Sequence, residues 1–293
     1  MVDACRADLF DAAARFFHRA PGLWRVARPL RDLRDRLAPP GTVVRQMRDG
    51  FKLELRPRSD EYERNMFFSR TYEPATLATF DRFIKPGDTV LDIGANIGLM
   101  TLKAATLAGP TGRVIAFEPN PEVYPRLERH VALNGLRNIE VRRHALGSCP
   151  GSLPIYVGAS NVTNASLVAH EGDRVVAEVP IHRLDDIMGD RPAHFIKIDV
   201  EGFEAEVLKG AAKLLARCRP TILMEFIRGM ATPDGDPFAA HEVVMGTGLY
   251  DCFKFAHSKF SDDASLAPVL GRDDLPDEDN IVFVPKGHGG NGG

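Results

Sequence analysis

The chain lacks a CxxC pair, a long uncharged stretch and a surplus of basic residues, and each absence removes a class of protein. Its four cysteines, Cys5, Cys149, Cys218 and Cys252, lie far apart. That spacing suits neither a zinc site nor a disulfide framework, and it reads as a set of reduced thiols. No stretch long enough to span a bilayer avoids charge. Arg6, Asp8, Asp11 and Arg15 interrupt the apolar residues near the start, so no signal-peptide pattern is read there and a soluble, cytoplasmic protein is expected. The sequons at Asn161-Val162-Thr163 and Asn164-Ala165-Ser166 matter only in a secreted chain. Lys and Arg number 37 against 40 Asp and Glu, for a net charge of -3. A nucleic-acid partner normally demands a basic face, so none is expected.

What is present is the composition of a globular protein, 44% hydrophobic and 26% charged over 293 residues. That length holds one large domain with additions. Residues 1–40 stand apart. Leu9, Phe10, Ala13, Phe16 and Phe17 recur at helical spacing before Pro21-Gly22. Trp24, Ala27, Leu30, Leu33 and Leu37 then alternate with Arg25, Arg28, Arg31, Arg34 and Arg36. This Arg-rich helical extension is expected to pack on the main domain or on a second copy. The alternative is peripheral contact with an anionic membrane, a partner or an acidic substrate. Residues 41–88 read as a hairpin turning at Asp49-Gly50, then a helix from Glu73 to Phe83.

From Thr89 the pattern becomes strand, turn, helix, repeated. Strands are read at Thr89–Ile93, Arg113–Phe117 and from Ile139 toward His144-Ala145, with helices at Leu99–Ala108 and from Pro121 to about Asn134. Near 150–182 a helix is missing, and Leu153–Val157 and Val175–Pro180 read as an antiparallel insertion. Strands resume at Ala193–Asp199 and Thr221–Phe226 around a helix from Phe203 to Leu215. Tyr250–Phe255 and Asn280–Val284 close the series, and the glycine-rich tail 287–293 is expected to be disordered. Such alternation implies an open, mostly parallel sheet with helices on both faces. Ligands then bind outside the carboxyl ends of the strands.

Asp92 closes the first strand, and Gly94, Asn96 and Gly98 build the turn into a helix. Glycine lets the backbone bend sharply and lets a ligand approach. Glu118 follows the next strand, where a carboxylate can accept both ribose hydroxyls. The rival ligand is a nicotinamide dinucleotide. Its G-x-G-x-x-G turn places a glycine where this chain has Asn96, because pyrophosphate touches the backbone there. Asn96 therefore favours a nucleoside ligand without pyrophosphate, S-adenosylmethionine among them.

Asp92-Ile-Gly-Ala-Asn-Ile-Gly98, Phe117-Glu-Pro-Asn120, Arg183-Leu-Asp-Asp186 and Ile196-Lys-Ile-Asp-Val-Glu-Gly-Phe-Glu204 together resemble the FkbM family of methyltransferases. The resemblance covers roughly Tyr72 to Phe226, and Lys197–Gly202 is its most specific part. It implies an α/β class I methyltransferase fold, Rossmann-like, with a seven-stranded mostly parallel sheet. It also implies a methyltransferase domain over 89–286, S-adenosylmethionine as cofactor, and O-methylation of a sugar or other hydroxylated natural product. By the same resemblance Asp92, Gly94, Asn96, Gly98 and Thr101 line the methionine end. Glu118, with Pro119 and Asn120, holds the ribose, and His144 and Ala145 flank the adenine.

Methyl transfer to an alcohol needs a nucleophile aligned behind the methyl and a group to take its proton. Asp199 ends the fourth core strand and is the expected base or substrate anchor, with Glu201 the second choice. Lys197, two residues before, is expected on the same side of the extended chain, stabilising a developing alkoxide or simply pairing with Glu201. Glu225 ends the fifth strand and can face the same pocket, whereas His182 reads as structural. A Mg²⁺ ion on Asp199, Glu201 and Glu225 is ranked below direct base catalysis, so no metal is assigned. A protein or peptide acceptor, a NAD-dependent dehydrogenase and a non-catalytic nucleotide-binding module are the remaining alternatives.

Overall fold

The computed structural model describes residues 34–158, 161–169 and 172–287, with the backbone alone for 161–164. Most of the expected arginine-rich extension, and the tail from 288, lie outside the described residues. The chain divides into two compact units, Met1–Tyr72 and Glu73–Gly293.

In the first unit β1 (Val43–Gln46) and β2 (Lys52–Leu55) pair antiparallel, with Val43 opposite Leu55. Gly50, at φ +92°, reverses the chain between them, and the Met47 N–H donates to the Phe51 carbonyl at 2.8 Å. Helix α1 (Glu61–Ser69) follows. Helical spacing does not reveal it, because Met66, Phe67 and Phe68 are buried consecutively. Its start is set by Asp60, whose side chain accepts the Glu63 N–H at 3.0 Å.

The second unit opens with α2 (Pro74–Phe83) and alternates through β3 (Thr89–Ile93), α3 (Leu99–Ala108), β4 (Arg113–Phe117), α4 (Tyr124–Asn134) and β5 (Ile139–Arg142). A separate four-stranded sheet then interrupts the alternation. It comprises β6 (Ala145–Leu146), β7 (Gly151–Gly158), β8 (Asn161–Ser166) and β9 (Arg174–His182), in the order β6-β9-β7-β8. The chain returns through α5 (Leu184–Met188), β10 (Phe195–Ile198), α6 (Glu204–Lys209), α7 (Ala212–Cys218) and β11 (Thr221–Ile227). It ends with α8 (Ala239–Met245), β12 (Tyr250–Phe255), β13 (Leu266–Pro268) and β14 (Glu278–Pro285).

The main sheet runs β13-β12-β14-β11-β10-β3-β4-β5. Eight strands replace the expected seven, because three residues after β12 add β13 at the edge. The five strands from β11 to β5 are mutually parallel, and β14 is antiparallel to β11. Helices cover both faces, so the central strands are apolar along their length: Val90, Leu91, Ile196, Ile222 and Leu223 are all at most 1% exposed. The single helix expected from Phe203 to Leu215 is two pieces. A side chain at Gly210 would lie 2.1 Å from the Gly147 carbonyl oxygen, and the Gly210 carbonyl accepts the Asp185 N–H, so the chain bends between α6 and α7. Among the described residues no helix is long and apolar enough to cross a membrane.

Candidate functional site at the carboxyl edge of the sheet

The turn after β3 is shaped by its neighbours as much as by any ligand. Gly94 holds φ +80°, and a Cβ there would lie 1.8 Å from the Asp199 carbonyl oxygen. Gly98 holds φ +96° and faces Leu127 Cδ1, which a Cβ would meet at 2.4 Å. The sharp bend expected at these glycines is present, and the lack of a Cβ also makes room for the chain's own backbone and for α4. Asn96, at φ +51°, accepts the Ile97 N–H on Oδ1 at 2.7 Å, the kind of local bond that lets Asn tolerate a left-handed backbone. Asp92 is fully buried and accepts the Thr101 hydroxyl at 2.5 Å, while its Oδ1 has no hydrogen-bond partner among the described residues. Thr101, also fully buried, thus holds Asp92 in place. Burial raises the Asp92 carboxyl above its ordinary range, opposed by Lys197 and Thr101.

Glu118 leaves the end of β4 and bridges two turns. The Asn96 N–H donates to Oε2 at 2.8 Å and the Asn120 N–H to Oε1 at 2.9 Å. Burial still lifts its carboxyl to about 7. Each oxygen keeps a second lone pair, so the group can still accept from two hydroxyls. Asn120 is fully buried and its Oδ1 accepts the Glu122 N–H at 2.9 Å, which makes it a turn-former leading into α4. Pro119, between them, is half-buried. His144 follows β5, whose end adjoins Glu118 through the bond from the Glu118 N–H to the Arg142 carbonyl at 3.0 Å. The His144 ring packs edge-on against Phe117 and His182, and its Nε2 is enclosed without a partner among the described residues. Burial, with His182 and Arg142 beside it, pushes the ring down to about 4, so it is neutral. Ala145 does not line an open surface. It pairs with Ile181 and packs in a small apolar cluster with Ile155 and Val179.

At the end of β10, Lys197 and Asp199 lie on one side of the strand, with Nζ 3.1 Å from Asp199 Oδ2. The same ammonium donates to the Gly94 carbonyl at 2.9 Å and stands 3.8 Å from Asp92 Oδ1. Lys197 does not pair with Glu201, and at 6% exposed it is turned inward. Burial alone would lower its pKa, but Asp199 and Asp92 hold it up. Burial would raise Asp199, yet Lys197 brings it below the ordinary carboxylate range.

Glu201 reaches the cluster by another route than strand alternation. It sits at φ +54° in a turn past the strand, and Glu204 Oε1 accepts the Val200 and Gly202 N–H groups across that turn. The Ser166 hydroxyl of β8 donates to the Glu201 carbonyl at 2.7 Å. Asp199, Glu201 and Glu225 each offer an oxygen within 4.8 Å of the others. Burial and the neighbouring Asp199 charge lift Glu201 to about 7 and raise Glu225 well above its usual value.

Two residues at this edge carry no motif. Lys259, in the loop after β12, places Nζ 2.6 Å from Glu225 Oε1 and 3.3 Å from Glu73 Oε1. Glu73 is buried at the start of α2 with φ +46°. A polar loop and a helix start gave no sign of this in sequence, because only the tertiary fold brings residues 73, 225 and 259 together.

The pattern of the family described as "Methyltransferase FkbM domain" matches residues 92–245, more than half of the chain. The chain belongs to the FkbM methyltransferase family. Methyltransferase sdnD of Sordaria araneosa is 31% identical over 154 residues, covering 41% of this chain and 59% of that protein. Hexuronic acid methyltransferase AglP of Haloferax volcanii is 30% identical over 129 residues, covering 44% and 52%. The crystal structure of the FkbM methyltransferase from Methylobacillus flagellatus aligns with 75% of this chain and 52% of its own, at 15% identity and a TM-score of 0.44. The chain thus spans 59% and 52% of the length of the two curated relatives.

The third FkbM-like motif, Arg183–Asp186, has a structural task in this family member. Asp185 accepts the Lys213 N–H at 3.1 Å and the Leu214 N–H at 2.9 Å, capping α7. The other three motifs converge at the carboxyl edge of β3, β4 and β10.

Proposed function

We propose that this FkbM-family chain transfers a methyl group from S-adenosylmethionine to a hydroxyl of a sugar or other hydroxylated natural product, with Asp199 as the base. The observation that carries this reading is the ionised, partly exposed Asp199 carboxylate, held by Lys197 at 3.1 Å on the same sheet edge as Glu118. When bound, the cofactor supplies an electrophilic methyl on a sulfonium. The residues present fit an adenosine: the Glu118 carboxylate has acceptor capacity left for ribose hydroxyls, and the orphaned His144 Nε2 stands at the adjoining strand end. Asp199 takes the acceptor's proton, and Lys197 stabilises that carboxylate rather than the oxygen of the acceptor. The hexuronic acid specificity named for AglP supports a saccharide acceptor. Mg²⁺ on Asp199, Glu201 and Glu225 stays the second mechanism.

S-adenosylhomocysteine is expected to raise the melting temperature, and Glu118→Ala to abolish that shift. A shift with NAD and none with S-adenosylhomocysteine would replace the proposal with a dehydrogenase. Asp199→Asn is expected to abolish turnover on a glycan panel while the cofactor shift persists; intact turnover would remove the base assignment.

A further inference from the structure

The carboxyl edge gathers four acidic side chains, Glu73, Asp199, Glu201 and Glu225, and such a gathering must be neutralised. Lys197 serves one side only, through Asp199 and the Gly94 carbonyl. The other side belongs to Lys259. Its Nζ lies between Glu225 Oε1 at 2.6 Å and Glu73 Oε1 at 3.3 Å. Glu73 Oε2 accepts from Thr76 at 3.0 Å and from Asn280 at 3.1 Å, and Asn280 is the register partner of Glu225 across β11 and β14. Two carboxylates from separate segments, Glu73 and Glu225, therefore flank one ammonium, and Thr76 and Asn280 hold Glu73 in place.

The arrangement is rigid. Lys259 is 5% exposed. Its N–H is held by both Asp279 oxygens, at 3.1 and 3.2 Å, and its carbonyl accepts the Ala75 N–H at 3.2 Å. Glu73 keeps a left-handed backbone to reach it, a conformation that costs a non-glycine residue energy. Glu225 accepts from Lys259 at 2.6 Å, and one of its oxygens lies within 4.8 Å of an Asp199 oxygen. A divalent ion placed among Asp199, Glu201 and Glu225 would meet this fixed ammonium and would compete for a carboxylate already in use.

We infer that Lys259 is a positioning residue: its ammonium is the resident cation of the carboxylate cluster, standing where other sites would recruit a divalent metal. It fixes Glu225 against Asp199 and leaves Asp199 as the carboxylate that faces the acceptor. The inference rests on the reading of Asp199 as base, and its test is independent of turnover.

Manganese is the probe, followed by electron paramagnetic resonance on the full chain. The natural chain and Lys259→Arg are expected to leave Mn²⁺ free up to about 1 mM, the weak end of carboxylate sites. Lys259→Met is expected to gain a Mn²⁺ site bound at least about tenfold tighter, because removing the cation leaves the carboxylates uncompensated. Adding Asp199→Asn should remove that gained site. Tight Mn²⁺ binding by the natural chain that Asp199→Asn removes would overturn the inference, and so would a Lys259→Met chain that gains none. The S-adenosylhomocysteine melting shift checks that each variant is folded. If Lys259→Met fails that check, Lys259→Gln is measured with the same two outcomes. Absence of the shift in the natural chain would sink the cofactor reading instead, so the two failures are distinguishable.

Discussion

Glu118 is the residue whose chemistry ties cofactor capture to pH. Burial lifts its carboxyl to about 7 although two backbone N–H groups stabilise the ionised form. A raised carboxyl adds stability to the fold in its protonated form, and that contribution is lost as pH climbs from the unfolded value near 4.5 through the folded value. Ribose hydroxyls reverse the preference, because they donate to the ionised form. S-adenosylhomocysteine affinity is therefore expected to rise with pH by up to about tenfold per unit below 7 and to level off above it. Calorimetry at several pH values checks this, with Glu118→Gln flattening the profile; a flat profile in the natural chain would count against the ribose role. Glu118 was legible in sequence because its position after a strand and its distance from the glycine turn are local properties. Lys259 and Glu73 were not, since nothing short of the folded chain brings residues 73, 225 and 259 within ion-pair distance. The glycines at 94 and 98 were found for an incomplete reason. Their left-handed backbones were foreseeable, but the Asp199 carbonyl and Leu127 that press on them were not.

At the scale of elements, the alternating strands and helices were readable because buried parallel strands are continuous apolar runs bounded by turn residues. The short pieces escaped. Helices α5 and α8 and strand β13 carry too few residues for a period to declare itself, α1 hides its period behind the consecutive buried residues 66–68, and α6 and α7 separate where Gly210 packs on the Gly147 carbonyl and accepts the Asp185 N–H. Asp185 shows how a motif that looks chemical can serve an element instead. Its carboxylate satisfies two N–H groups at the start of α7 with its side chain 4% exposed. Asp185→Ala is expected to cost about 1–2 kcal/mol, seen as a melting temperature several degrees lower. The S-adenosylhomocysteine affinity should stay unchanged; an unchanged melting temperature would refute the capping role.

Across the whole molecule, every residue named at the site, from Glu73 to Asn280, falls in the unit Glu73–Gly293. Deleting residues 1–40 is accordingly expected to leave the melting shift with S-adenosylhomocysteine within about a degree of that of the full chain, a change too small to reflect a lost cofactor contact. A vanished shift would assign those residues a part in cofactor capture. The four-stranded insertion has a different relation to the site. It leaves and rejoins the main domain at one place, where Ala145 pairs with Ile181 and the Gly147 N–H donates to the His182 carbonyl at 3.0 Å. Its strand β8 meets the Glu201 turn through the Ser166 hydroxyl. Residues 148–181 therefore enter and leave the main domain at neighbouring positions, with Ser148 on Glu206 and Arg174 on Glu122 as further ties. A change of sequence there leaves Glu118, Asp199 and Lys259 untouched, because they stand on the main sheet and its loops, outside that stretch.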